Sequence, residues 1–133
     1  MTVDRRRARR RLAALAGVLT GLLFVLLGPA APASAHAALV GSDPAADTIV
    51  PDAPNRVTLT FSESVQLLDG KIQVLAPDGS RADQGEPQGG GNTVTIPLRS
   101  GGGRGTYLVS YRVISADSHP VGGSLTFSVG AAS

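Results

Sequence analysis

The chain contains no cysteine and no tryptophan, and its single methionine is Met1. Without cysteine no disulfide can staple the fold, so packing and strand pairing must hold it. With no sulfur beyond Met1, every soft metal ligand is missing as well. Past residue 27 there is no second long apolar run, and no later segment shows helical periodicity. No internal repeat is visible. Gly89-Gly90-Gly91 and Gly101-Gly102-Gly103-Arg104-Gly105 are not followed by a helix, which excludes a phosphate-binding loop and leaves both as turns between strands.

What is present begins with an unusual first third. Residues 1–11 carry six arginines and one acid, Asp4. Leu12 to Leu27 is almost wholly apolar, and small residues ending in Ala33-Ser34-Ala35 follow. Basic, then apolar, then small with an A-x-A site is the layout of a secretory signal peptide. Cleavage is expected between Ala35 and His36, giving a leader of residues 1–35 and a domain of residues 36–133. An uncleaved anchor is the alternative, but the apolar run falls short of the roughly 20 residues a span needs. The paired arginines also allow twin-arginine export, although no full consensus is present.

Removing the leader reverses the charge. The whole chain is formally +2, whereas residues 36–133 hold six basic and nine acidic residues, a formal charge of −3. No basic face remains for a nucleic acid. The processed protein is expected free in the periplasm or medium, as a monomer, with no membrane span.

The domain reads as short strands separated by turn residues. An extended start at His36 to Gly41 ends at Ser42-Asp43-Pro44. Val57 to Phe61 and Lys71 to Leu75 alternate apolar and polar, the period of half-buried strands, and Pro77-Asp78-Gly79 is a turn. Thr93 to Leu98 alternates again, with Pro97 pointing it toward a sheet edge. Thr106 to Ser115 puts Tyr107, Val109, Tyr111 and Val113 on one face, and Gly123 to Val129 does so with Leu125, Phe127 and Val129. About seven such strands predict an all-β, immunoglobulin-like Greek-key sandwich or barrel.

Both histidines sit in chemically telling places. His36 becomes an amino terminus on cleavage, and a terminal histidine offers its α-amine and its Nδ1 to one metal in a six-membered chelate. The amine's pKa of roughly 7.7–8.0 makes its proton cheap to lose near neutral pH. His119 lies in Ser115-Ala116-Asp117-Ser118-His119-Pro120. Pro120 biases His119 toward extended backbone, and extended residues two apart share a side, so Asp117 and His119 are expected to stand together. Read alone, the same motif is equally a solvated turn. Glu63 continues the inward parity of Val57, Leu59 and Phe61, and a buried carboxylate there needs a metal, an arginine or a chain terminus as partner.

The start HAALVGSDPAAD, the strands LTFSESV and GTYLVSYRVIS, and the run SADSHPVGGSLTFSV together resemble the CopC copper resistance family over essentially all of residues 36–133. The resemblance implies a seven-stranded Greek-key fold carrying periplasmic copper, with copper(II) ligands on His36 (amine and imidazole), Asp117 and His119. Glu63 matches a residue near the metal in some members. The resemblance also implies a membrane copper-import partner of the CopD type. The methionine-rich copper(I) segment of the best-known members has no counterpart here. Ligand chemistry agrees independently, since imidazole, amine and carboxylate in a tetragonal set suit copper(II) or nickel(II).

A carrier or buffer of copper(II) is the expectation, with no enzymatic activity. The alternatives are a histidine-brace copper monooxygenase and a metal-free sandwich used as an accessory domain. Against the enzyme, Asp117 would fill a coordination position, and Phe61, Phe127, Tyr107 and Tyr111 fall largely on core parities. Intact-mass measurement of the exported protein should give a chain beginning at His36. A product retaining Ala35 would rule out the terminal chelate.

Overall fold

The computed structural model describes residues 2–28 and 36–132. The expected cleavage site, Ala33-Ser34-Ala35, lies outside the described residues. Two units separate at residue 33. The first holds a single helix, α1 (Thr2–Leu26), whose apolar side chains from Leu12 to Leu26 are exposed. No helix among the described residues is long and apolar enough to cross a membrane.

The second unit is all β. Its strands are β1 (Leu39–Asp43), β2 (Ile49–Val50), β3 (Arg56–Phe61), β4 (Val65–Leu67), β5 (Gln73–Leu75), β6 (Gln88–Gly90), β7 (Thr93–Pro97), β8 (Gly105–Ser115) and β9 (Pro120–Val129). One sheet runs β1-β3-β7-β6 and the other β2-β9-β8-β4, with β5 also paired to β8. The pairings are antiparallel except β2 with β9. The sandwich is thus the expected one, with nine strands where about seven are legible in the sequence.

Alternation builds the core as the parity of each strand dictates. Val57, Leu59 and Phe61 of β3 are fully buried, as are Val94 and Ile96 of β7. From the other sheet Tyr107, Val109 and Val113 of β8 meet Leu125, Phe127 and Val129 of β9. Tyr107 stacks on Phe127 with centroids 5.1 Å apart, and Tyr111, only half-buried, meets Phe61 edge-on at 5.5 Å. Large side chains buried in this way contribute roughly 1.5–3 kcal/mol each. Tyr111 lies across Gly123, its cross-strand partner. A Cβ at Gly123 would come 2.5 Å from the phenol oxygen, so the ring takes the space a side chain would need.

Two local expectations are corrected. Gly89 and Gly90 belong to strand β6, and only Gly91, at φ +61°, turns the chain back into β7. Glycine is used there because Leu67 of the facing sheet sits over the strand, 3.2 Å from where a Cβ of Gly89 would be. Pro97 lies on β7, an interior strand. It escapes the ladder because β6 reaches only to Thr95, and beyond it the Pro97 carbonyl accepts from the Gln84 N–H at 2.8 Å.

Asp83 links the two sheets. Its backbone bridges Leu98 just past β7, while its carboxylate accepts the Val74 N–H of β5 at 2.9 Å and a two-pronged pair from Arg81 at 2.8 and 2.6 Å. Burial pushes the Asp83 carboxyl up, but the Arg81 and Val74 bonds together outweigh it and hold the group below the usual carboxylate range. A depressed carboxylate stabilises the fold above its unfolded pKa of about 3.9, and that contribution disappears as pH falls through the folded value. Asp83→Asn should therefore cost about 2 kcal/mol at pH 7, the scale of bonds to a charged group. Urea unfolding at falling pH should show the difference from the parent shrinking below about pH 4.

Candidate metal centre

Three chain segments meet at one end of the sandwich. The first precedes β1, the second follows β3, and the third is the loop joining β8 to β9. Ala37 is buried at 3% exposure, which seats the residue directly after His36. Ala38 is then clamped to the end of β3: its N–H donates to Ser62 Oγ at 2.9 Å, and its carbonyl accepts the Ser62 N–H at 2.8 Å. His36 is held at this end through those two anchors.

The β8–β9 loop brings the other two side chains. The ladder closes at Ile114 and Pro120, after which the Ser115 N–H donates to the His119 carbonyl at 2.9 Å. Ala116, Asp117 and Ser118 form the loop, the Ser118 N–H donates back to the Ser115 carbonyl at 2.9 Å, and Ser118 takes φ +67°. A three-residue hairpin loop ending in a left-handed residue is a favoured way to join twisted strands. Asp117 and His119 therefore share a side because the chain turns between them. The expected extended segment is not what is found.

The donors converge. His119 Nδ1 lies 3.0 Å and His36 Nδ1 4.0 Å from the same oxygen, Asp117 Oδ2. The two imidazole centroids are 4.9 Å apart, tilted by 39°. One ligand atom from each of His36, Asp117 and His119 lies within 4.8 Å of the others. First-row divalent ions hold nitrogen and oxygen at about 2.0–2.2 Å, so donors around one ion stand roughly 3–4 Å apart. The cluster fits such an ion with small side-chain adjustments. Both imidazoles are 62% exposed and the carboxylate 22%, which leaves the nitrogens reachable from solvent.

Asp117 is prepared as an anion. The Ser115 hydroxyl is the main cause, and it outweighs desolvation; the His119 ring and backbone N–H add to it, holding the carboxyl below its usual range. Glu63 does not join the three converging residues. It lies between Ser62, bonded to Ala38, and Val65, two residues further on and paired with Ser115, so the chain on either side of it touches the segments that carry the donors. Its Oε1 is buried and lacks a hydrogen-bond partner among the described residues. Ser115 itself is a part of the site that motif reasoning passes over. Its signal is parity: it continues the inward series of Tyr107, Val109 and Val113, and a hydroxyl in that row demands a partner.

The CopC domain family matches residues 39–130. The protein belongs to that family. Its chain is 31% identical over 114 residues to the copper transport protein CutJ of Bacillus subtilis, covering 84% of this chain but spanning only 21% of that protein's length. Among solved structures it resembles CopC from Methylosinus trichosporium OB3b, with a TM-score of 0.63 and 30% identity over 71% of this chain and 93% of that one. It also resembles PcoC, a methionine-rich copper resistance protein from Escherichia coli, at a TM-score of 0.59 and 32% identity, over 71% and 99% of the two chains. The methionine richness is not shared, since this chain has Met1 alone.

Ser118 pays for this geometry with a backbone conformation that costs side chains with a Cβ about 1–2 kcal/mol. Ser118→Gly should leave the melting temperature within about 3 °C of the parent, its relief offset by lost chain stiffness. Ser118→Val should lower it by about 5 °C or more, on the scaling for a domain of this size. A Val variant as stable as the parent would mean that the loop does not keep this turn.

Proposed function

We propose that the protein is an exported carrier or buffer of copper(II), used in copper homeostasis or resistance and without enzymatic activity. The observation that carries the proposal is the convergence of His36, Asp117 and His119 in a CopC-family fold. Relatives named for copper transport and copper resistance support the same cargo. Cleavage after Ala35 would complete the set by turning the His36 amide into an α-amine. Two imidazoles, one amine and one carboxylate oxygen make four donors of the kind tetragonal copper(II) takes, and no sulfur is on hand for copper(I). Glu63, with its buried unpartnered oxygen, stands ready as a further oxygen donor or as an acceptor behind the ligands.

Location follows from the leader: export places the domain in the periplasm or outside the cell, as a monomer. A membrane copper importer of the CopD type is the partner that fits a carrier there. The exposed imidazoles suit hand-over, because an incoming ligand can reach the ion without opening the core.

Copper(II) titration of the processed protein against a competing chelator tests these assignments together. His119→Ala should weaken binding by more than about tenfold and Asp117→Ala by less, with unchanged circular dichroism. A form with one extra residue ahead of His36 should also lose more than about tenfold, because its first nitrogen is no longer beside the imidazole. Affinity should fall in acid, since the nitrogen donors must shed protons to bind. Parent-like affinity in both His119→Ala and the extended form would defeat the site assignment.

A further inference from the structure

Asp117 has two carboxylate oxygens, and the structure treats them differently. Oδ2 faces both imidazoles, whereas Oδ1 accepts the Ser115 hydroxyl in a short contact and the His119 N–H at 3.3 Å. Ser115 is 1% exposed, so no water competes for its hydroxyl. The hydroxyl also lies 3.0 Å from the His119 carbonyl, but that carbonyl already accepts the Ser115 N–H at 2.9 Å. A hydroxyl carries one hydrogen, and a bond to an ionised carboxylate is the stronger use of it. The hydrogen therefore goes to Asp117 Oδ1.

We propose that Ser115 is a positioning residue for the metal: its hydroxyl engages Asp117 Oδ1 and so presents Oδ2 alone, as a single-oxygen donor. This rests on the copper(II) reading of the His36–Asp117–His119 cluster. Its backbone is fixed on both sides, by Val65 of β4 and by the His119 carbonyl across the hairpin neck. The hydroxyl is thus a rigid point from which the carboxylate plane is set. Deleting it leaves Oδ1 with only the long contact from the His119 N–H. The carboxylate can then rotate about its Cβ–Cγ bond and offer both oxygens, crowding a four-donor tetragonal set. A carboxylate limited to one oxygen also disfavours ions such as calcium, which take six to eight oxygen ligands and often bind carboxylates through both.

The test uses the exported, processed protein, with copper(II) affinity from chelator competition and electron paramagnetic resonance of the bound ion. Ser115→Ala should bind copper(II) about tenfold more weakly, the cost expected for losing a group that orients a ligand. Its resonance parameters should shift, and Ser115→Thr, which keeps the hydroxyl, should restore both. In an Asp117→Ala background, Ser115→Ala should cause no further loss, because the group it acts through is gone. If Ser115→Ala fails to fold, Ser115→Cys keeps the volume with a weaker donor and should give an intermediate loss. Parent affinity with an unchanged spectrum in Ser115→Ala would overturn the proposal, as would an equal loss in the Asp117→Ala background. A parent that does not bind copper(II), or a His119→Ala variant that binds like the parent, would instead remove the metal site itself and the proposal with it.

Discussion

Ten consecutive residue pairs join β8 to β9, from Gly105 with Val129 to Ile114 with Pro120. β4 and β5 occupy the other edge of β8, and β2 pairs the end of β9, so this hairpin is the member around which the second sheet assembles. Its inward row also supplies most of that sheet's share of the core, from Tyr107 through Val113 and from Leu125 through Val129, with Val74 of β5 beside it. Sliding one strand past the other by one residue would turn its row to solvent. Register is therefore fixed by burial, and the loop at the hairpin's end inherits that fixity. Asp117 and His119 stand where they do because the ladder ends at Ile114 and Pro120.

His36 reaches the same place from the other sheet. β1 pairs β3 from Leu39 with Phe61 onward, and a bulge leaves Val40 exposed at the strand's start. The Ala38–Ser62 clamp then carries the chain across the end of the sandwich to the hairpin loop. An ion held by all three side chains would join the end of one sheet to the end of the other. The arrangement asks for little from the core, since each donor sits on a segment that the strands already position.

Legibility in the sequence followed period and length. Strands β3, β7, β8 and β9 announced themselves by alternation, and most residues on those parities are buried, whereas the five residues of β1 show no such period. β2, β4 and β6 have two or three residues each, too short to show a period, and β6 is mostly glycine. Their pairing comes from tertiary contacts, as Leu67 over Gly89 shows. At the site, residue types pointed to the donors while local geometry was misjudged. Pro120 suggested an extended segment at His119, but the hairpin closure and the left-handed Ser118 bring Asp117 and His119 together by turning. The inward parity of Glu63 carried two residues past β3 and is matched by a buried Oε1, yet it lies outside the converging set. Ser115 was readable on the same rule, as a hydroxyl in an apolar row.

The division between core and donors bears on how such a protein can release its cargo. Where an ion's ligands are also its fold, as in small zinc domains, removing the metal unfolds the chain, and binding energy is folding energy. Here none of the three converging residues belongs to the apolar core, and the hydrogen bonds that orient them run within the protein itself. On the proposed copper reading, those bonds would hold the three side chains together without the ion, so little ordering cost would be charged against binding. By the same logic, losing the ion would leave the ladder, the clamp and the hairpin loop intact. Exposed imidazoles would then allow an acceptor to attack the ion one ligand at a time, while the buried Ser115 and the partly buried Asp117 would keep the geometry in place for the next one.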